Sequence, residues 1–218
     1  MTKPIIIADL AYKSPRRTGR GTGHQGLRAT LKYLQFRDRR NNHLARTHGV
    51  ERWRDRGLGI HHGDIYRGCD ALQSPHVLAW TWVISPAPDV LALVPERDRR
   101  ALLDELTERV VEDYYAARGL DAPEYSYVLH NARTKSSGET QEHLHTHVVL
   151  PGTVPTAAER LPFYNNARQG HDRLFRDIAA RDFVDLLDAR GIDWRRLREP
   201  DVQREPDGTI DLDDFFSR

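Results

Sequence analysis

The stretch that decides the reading is YVLHNARTKSSGETQEHLHTHVVLPG, residues 127–152. Two apolar runs, YVLH and HLHTHVVL, flank a polar segment, as in two β-strands joined into a hairpin, with "ARTKSSGETQE" as the connecting turn. In a strand, residues i and i+2 share a face. His145 and His147 therefore project together, at about 6.5–7 Å between Cα atoms, and two imidazoles at that spacing converge on one divalent ion. His143 lies on the same face, but at roughly 13 Å from His147 three in-line rings do not easily share one ion. The missing ligand should come from the neighbouring strand, where His130 stands. A set built from His143 and His145 with another group stays open, so His143 is a candidate ligand or outer-sphere group. Leu144, Thr146, Val148 and Leu150 point the other way, into the core. Histidines buried on an apolar strand are costly without a partner, which favours a metal site over incidental packing.

Around this hairpin the chain reads as alternating elements. KPIIIADLAY is a strand, SPRRTGRGTG a Gly- and Arg-rich loop, and HQGLRATLKYLQFR a helix with Leu27, Leu31 and Leu34 on one stripe. Residues 38–76 are polar and Gly-punctuated, with a short helix near IYRGCDALQ. HVLAWTWVIS is a strand, PERDRRALLDELTERVVEDYYAARG a long helix, and GHDRLFRDIAARDFVDLLDARG a final amphipathic helix. The order strand, helix, strand, helix, strand, strand, helix predicts an α+β fold: a central antiparallel sheet with helices packed on it. Residues 1–195 form one domain, and 196–218 a polar, acidic tail.

The 218 residues are 39% hydrophobic and 30% charged, a composition of one globular domain with no run long enough to span a bilayer. A single cysteine, Cys69, allows no internal disulfide and fits a cytoplasmic compartment. Net charge is only +1 but uneven. Between residues 13 and 56 the basic side chains far outnumber Asp38, Glu51 and Asp55, which points to a polyanion partner. Arg16, Arg17, Arg20, Arg28, Lys32, Arg37, Arg39 and Arg40 are the candidate nucleic-acid contacts.

Several metal classes are excluded by spacing. No glutamate follows the His pair as a cupin requires. Only 71 residues follow His147, too few to complete an amidohydrolase barrel. The i, i+4 histidines of a zinc-protease helix are absent.

HLHTHVVL resembles the metal-binding strand of the relaxases, HUH (His-hydrophobe-His) endonucleases that nick and transfer DNA strands in conjugation and mobilisation. In that family a third histidine lies upstream on the adjacent strand, the position of His130, and the nucleophilic tyrosine lies on a helix after the first strand. GLRATLKYLQFR matches that helix, with Tyr33-Leu34 as its YL pair. The resemblance covers the order of elements over roughly residues 3–190. It implies metal-dependent nicking of single-stranded DNA through a 5′-phosphotyrosine, with His130, His145 and His147 holding Mn²⁺ or Mg²⁺ and Tyr33 attacking. Accessory DNA-processing proteins are implied as further partners. Helical periodicity agrees on the tyrosine: Tyr33 falls about 120° from the leucine stripe, amid Arg28, Lys32 and Arg37. Tyr12 and Tyr164 are the alternatives; Tyr164 stands where replication initiators and transposases of the same class carry their nucleophile. Tyr114, Tyr115, Trp80 and Trp82 read as core. A nucleic-acid-binding module with a structural metal, and a hydrolase using activated water, are the readings from other classes.

Overall fold

A computed structural model of the chain describes residues 4–18, 21–41, 53–136 and 139–197. Five strands form the central sheet: β1 (Ile6–Lys13), β4 (Arg54–Arg56), β5 (Ala79–Pro86), β6 (Tyr125–Ser136) and β7 (Glu139–Pro151). Their spatial order is β1-β5-β7-β6-β4, and every pairing is antiparallel. Two short hairpins, β2 (Arg17–Thr18) with β3 (Gly21–Thr22) and β8 (Thr153–Pro155) with β9 (Arg160–Pro162), stand apart from it. The helices are α1 (Gly23–Asn41), α2 (His62–Ala71), α3 (Pro88–Leu91), α4 (Glu96–Ala116) and α5 (His171–Ala189).

The period-2 alternation of the strands sorts side chains into two cores, one on each face of the sheet. On one face Trp80, Trp82, Tyr127, Leu129, Val148 and Leu150 meet α4 and α5. These helices bring Leu103, Leu106, Val110 and Tyr114, and Phe175, Phe183 and Leu187. Each such side chain withdrawn from water stabilises the fold by about 1.5–3 kcal/mol. On the other face Val128 and Val149 lie under α1 and α2, which contribute Leu27, Leu31 and Leu34, and Ile65, Tyr66 and Cys69. Burial pushes the Cys69 thiol up to about 12, with the Asp70 charge adding to it, so the cysteine acts as a packed apolar group.

Three local expectations change. The turn is much shorter than the polar segment 132–142, because β6 and β7 stay paired out to Ser136 opposite Glu139. Polar residues sustain the ladder there because its bonds are backbone bonds. SPRRTGRGTG contains the β2–β3 ladder, in which Arg17 pairs with Thr22 and Thr18 with Gly21. The charged tripeptide Arg54–Arg56 is an edge strand, paired with Tyr125–Tyr127. Arg54 reaches Asp104 at 2.7 Å and Arg56 pairs with Glu108, so α4 supplies the counter-charges that an apolar pattern would have signalled by other means. The segment 198–218 lies outside the described residues.

Candidate metal centre

The β6–β7 register sets His130 opposite His145 and Val128 opposite His147. Since Val128 and Val149 belong to the core beneath α1 and α2, the pleat turns all three imidazoles to that same face. Ring centroids are 4.9 Å apart for His130 and His147, 5.0 Å for His145 and His147, and 5.8 Å for His130 and His145. Each residue offers one ring nitrogen, and these atoms all lie within 4.8 Å of one another. His130 and His145 are buried; His147 is half-buried.

Two backbone carbonyls orient the rings. His130 Nε2 lies 2.7 Å from Leu34 O on α1, and His145 Nδ1 lies 2.9 Å from His143 O. A carbonyl only accepts, so each of these nitrogens carries the proton and donates it. The lone pairs are therefore on His130 Nδ1 and His145 Nε2, the state in which neutral imidazole binds a metal, with the other nitrogen fixed by a second hydrogen bond. His130 Nδ1 and His147 Nε2 are shielded from solvent. Three imidazole donors converging in this way fit a divalent transition ion better than Mg²⁺, which prefers oxygen ligands. His143 does not join this group of three: its Nε2 meets Ser85 Oγ at 2.9 Å, and its carbonyl serves His145.

No family model matches the sequence, and no curated protein matches it. Among solved structures the chain is similar to the conjugative relaxase TrwC in complex with oriT DNA. The copper-bound form has 14% sequence identity and a TM-score of 0.51, with 85% of this chain and 71% of that chain covered. The metal-free form has 11% identity and a TM-score of 0.51, over 85% and 70% of the two chains. The chain has the relaxase fold.

Within this fold the tyrosines separate by position. Tyr33 lies on α1, 49% exposed, while Leu27, Leu31 and Leu34 of the same helix are buried. It immediately precedes Leu34, whose carbonyl holds His130. Tyr12 pairs in register with Trp80, and its ring packs against that Trp at 5.4 Å, on the α4–α5 face of the sheet. The histidines occupy the opposite face. Tyr164 follows β9 with its carbonyl accepting from Arg118 Nη2 at 3.0 Å and its ring near His76, beyond the far end of β7 from His143. Tyr114 and Tyr115 are wholly buried and pack on Trp82; Trp80 and Trp82 are core.

The basic candidates do not form one described patch. Arg28 and Lys32 lie together on exposed positions of α1, with the Arg28 guanidinium 4.1 Å over the Tyr66 ring. Arg16 sits after β1, where Nη2 meets His76 Nδ1 at 3.2 Å. Arg17, Arg37, Arg39 and Arg40 are described in backbone only, and Arg20 lies outside the described residues. One contributor escaped the sequence reading. The Leu34 carbonyl leaves no trace in a pattern of side chains.

Proposed function

We propose that the protein is a metal-dependent single-strand DNA nickase and strand transferase of the relaxase type. The observation that carries this reading is the set of three imidazole nitrogens within 4.8 Å of one another, tied through His130 to the helix that bears Tyr33. His130, His145 and His147 would hold the ion. A bound divalent cation supplies Lewis-acid polarisation of the scissile phosphate. The Tyr33 oxygen attacks phosphorus in line; its proton leaves to solvent, the tyrosyl O–P bond forms and the bond to the 3′ oxygen breaks. The 5′-phosphotyrosine retains the energy of the broken ester, so a new 3′-OH rejoins the strand by the reverse step without ATP. Lys32 directly precedes Tyr33 on α1 and Arg28 stands one turn before Lys32, and both supply positive charge for a phosphate. The relaxase TrwC, which shares the fold, is described in complex with oriT DNA and in a metal-bound form. Single-stranded DNA at a transfer origin is accordingly the proposed substrate.

The test uses a labelled single-stranded oligonucleotide incubated with the protein and Mn²⁺, followed by a denaturing gel. A covalent adduct in the wild type that disappears in Tyr33→Phe is the expected result. Cleavage without an adduct would mean water is the nucleophile, and binding without cleavage a non-catalytic module. An adduct that survives Tyr33→Phe would transfer the role to another tyrosine.

A further inference from the structure

Between α1 and α2 lies a cavity of about 480 Å³ whose walls include Arg28, Lys32, His62, Tyr66 and Arg67. Its size is within the range of small-ligand sites, roughly 300–1,000 Å³, and is ample for one nucleotide. The charge is notable for what does not offset it. Arg28 and Lys32 stand at i and i+4 on α1, a like-charge spacing that disfavours the helix. Among the described residues neither has a carboxylate partner within ion-pair distance. Arg67 does: it pairs with Asp64.

The walls are held in place. Tyr66 carries Arg28 on its ring, and its hydroxyl lies 3.0 Å from His24 Nδ1, itself 3.3 Å from Asp70. The Tyr66 ring thus pre-positions the guanidinium. His62 is fastened to α1 by Gln35 Oε1, which accepts from its backbone N–H at 2.7 Å and lies 2.8 Å from its Nδ1. Burial first, then the charges of His61 and Lys32, hold the His62 imidazole below its ordinary value, against the opposing pull of Asp64. The helix that forms this wall also carries Tyr33 and the Leu34 carbonyl that holds His130. At 1.5 Å rise per residue, Arg28 and Leu34 are about 9 Å apart along the axis, a gap that a short single strand bridges.

We propose that the α1–α2 cavity is an anchoring subsite for a phosphodiester of the DNA strand, with Arg28 and Lys32 as its phosphate ligands and Tyr66 as the platform for Arg28. This rests on the nickase reading and adds where the strand is gripped next to the site of attack.

The experiment is anisotropy of a fluorescein-labelled single-stranded oligonucleotide, in EDTA, from about 50 to 200 mM salt. It compares wild type, the double variant R28Q/K32Q, the charge-preserving R28K/K32R, and R173Q on the distant helix α5, each checked for a native melting curve. Loss of two phosphate contacts should flatten the slope of log affinity against log salt by about 1.4, since each contributes roughly 0.7 on a single strand. R28K/K32R should restore the slope and R173Q leave it unchanged. An unaltered slope in R28Q/K32Q, an equal change in R173Q, or a wild type that does not bind the oligonucleotide overturns the anchor. The covalent-adduct assay is read separately. An adduct with an unaltered slope refutes the anchor alone. A flattened slope with no adduct in the wild type refutes the nickase reading and leaves a nucleic-acid site.

Discussion

Manganese(II) at a hundredfold excess over its dissociation constant should raise the unfolding midpoint by about 5–10 °C, and His147→Ala should abolish that rise. A ligand that binds only the folded chain stabilises it by RT ln(1 + [L]/Kd), about 2.7 kcal/mol at this excess. For a chain of this size, each kcal/mol moves the midpoint by about 2–4 °C. The premise that only the folded state binds is structural. His130 and His145 are brought opposite one another by the β6–β7 register, and the three nitrogens converge only while that pairing lasts. His147 is the residue to remove, because it is half-buried and its loss opens the least core. The metal-free variant should therefore melt within about 1 kcal/mol of the wild type. The assay is a thermal melt followed by far-UV circular dichroism, with EDTA and with Mn²⁺. Thr146→Val is the control. Thr107 Oγ1 lies 2.7 Å from Leu103 O and 2.9 Å from Thr146 Oγ1. With one proton per hydroxyl, Thr107 donates to the carbonyl and Thr146 donates to Thr107. Valine removes that bond, on the opposite face of β7, at a cost of about 1 kcal/mol. It should lower the midpoint yet retain the full metal-induced rise. A wild type unmoved by Mn²⁺, or a rise of equal size in His147→Ala, would refute the three-histidine site.

Two further outcomes follow from the cores. Asp182 is wholly buried on α5; Oδ1 accepts from Arg181, while Oδ2 has no hydrogen-bond partner among the described residues. Burial raises its carboxyl above the ordinary value, and Asp113 adds repulsion, against the opposing pull of Arg181 and Arg109. A folded value above the unfolded one means ionisation costs stability, fully at neutral pH and not at all once pH falls below the unfolded value near 4. Asp182→Asn should therefore melt at or above the wild-type midpoint at pH 7, with the difference vanishing in acid; a marked loss at pH 7 would show that the arginine pairing dominates. Gly152, between β7 and β8, leaves no room for a side chain, since a Cβ would meet Val77 O at 1.8 Å and Ser74 N at 2.8 Å. Both are backbone atoms, so Gly152→Ala should cost about 3 kcal/mol in urea unfolding; an unchanged denaturation midpoint would refute the close approach.

Much of the fold is local and was therefore legible. Leu27, Leu31 and Leu34 declare a helix face by spacing alone, and all three are buried, while Tyr33 off that stripe is exposed. The strands show themselves by alternation: Leu144, Thr146, Val148 and Leu150 do turn towards α4 and α5. Less was legible where backbone bonds, and not side-chain pattern, decide. Polar residues 132–136 extend β6, and Arg54–Arg56 makes an edge strand that no apolar signal marks. The gathering of Arg28 on α1 with Tyr66 and His62 on α2 depends on how two helices cross, which neither helix records on its own surface.

The histidine site divides in the same way. The sequence alone determines that His143, His145 and His147 share one face of a strand, because the two-residue repeat of a strand is a property of the chain itself. It also determines that Tyr33 is turned away from its helix's buried stripe. Only the tertiary structure decides which ring completes the group, that His143 is engaged by Ser85, that Tyr12 lies on the face of the sheet opposite the histidines, and that a carbonyl of α1 orients His130. Those four facts follow from strand register and helix docking. Register and docking are set by summed burial across the whole sheet, and a shift of one residue would turn every histidine to the other face.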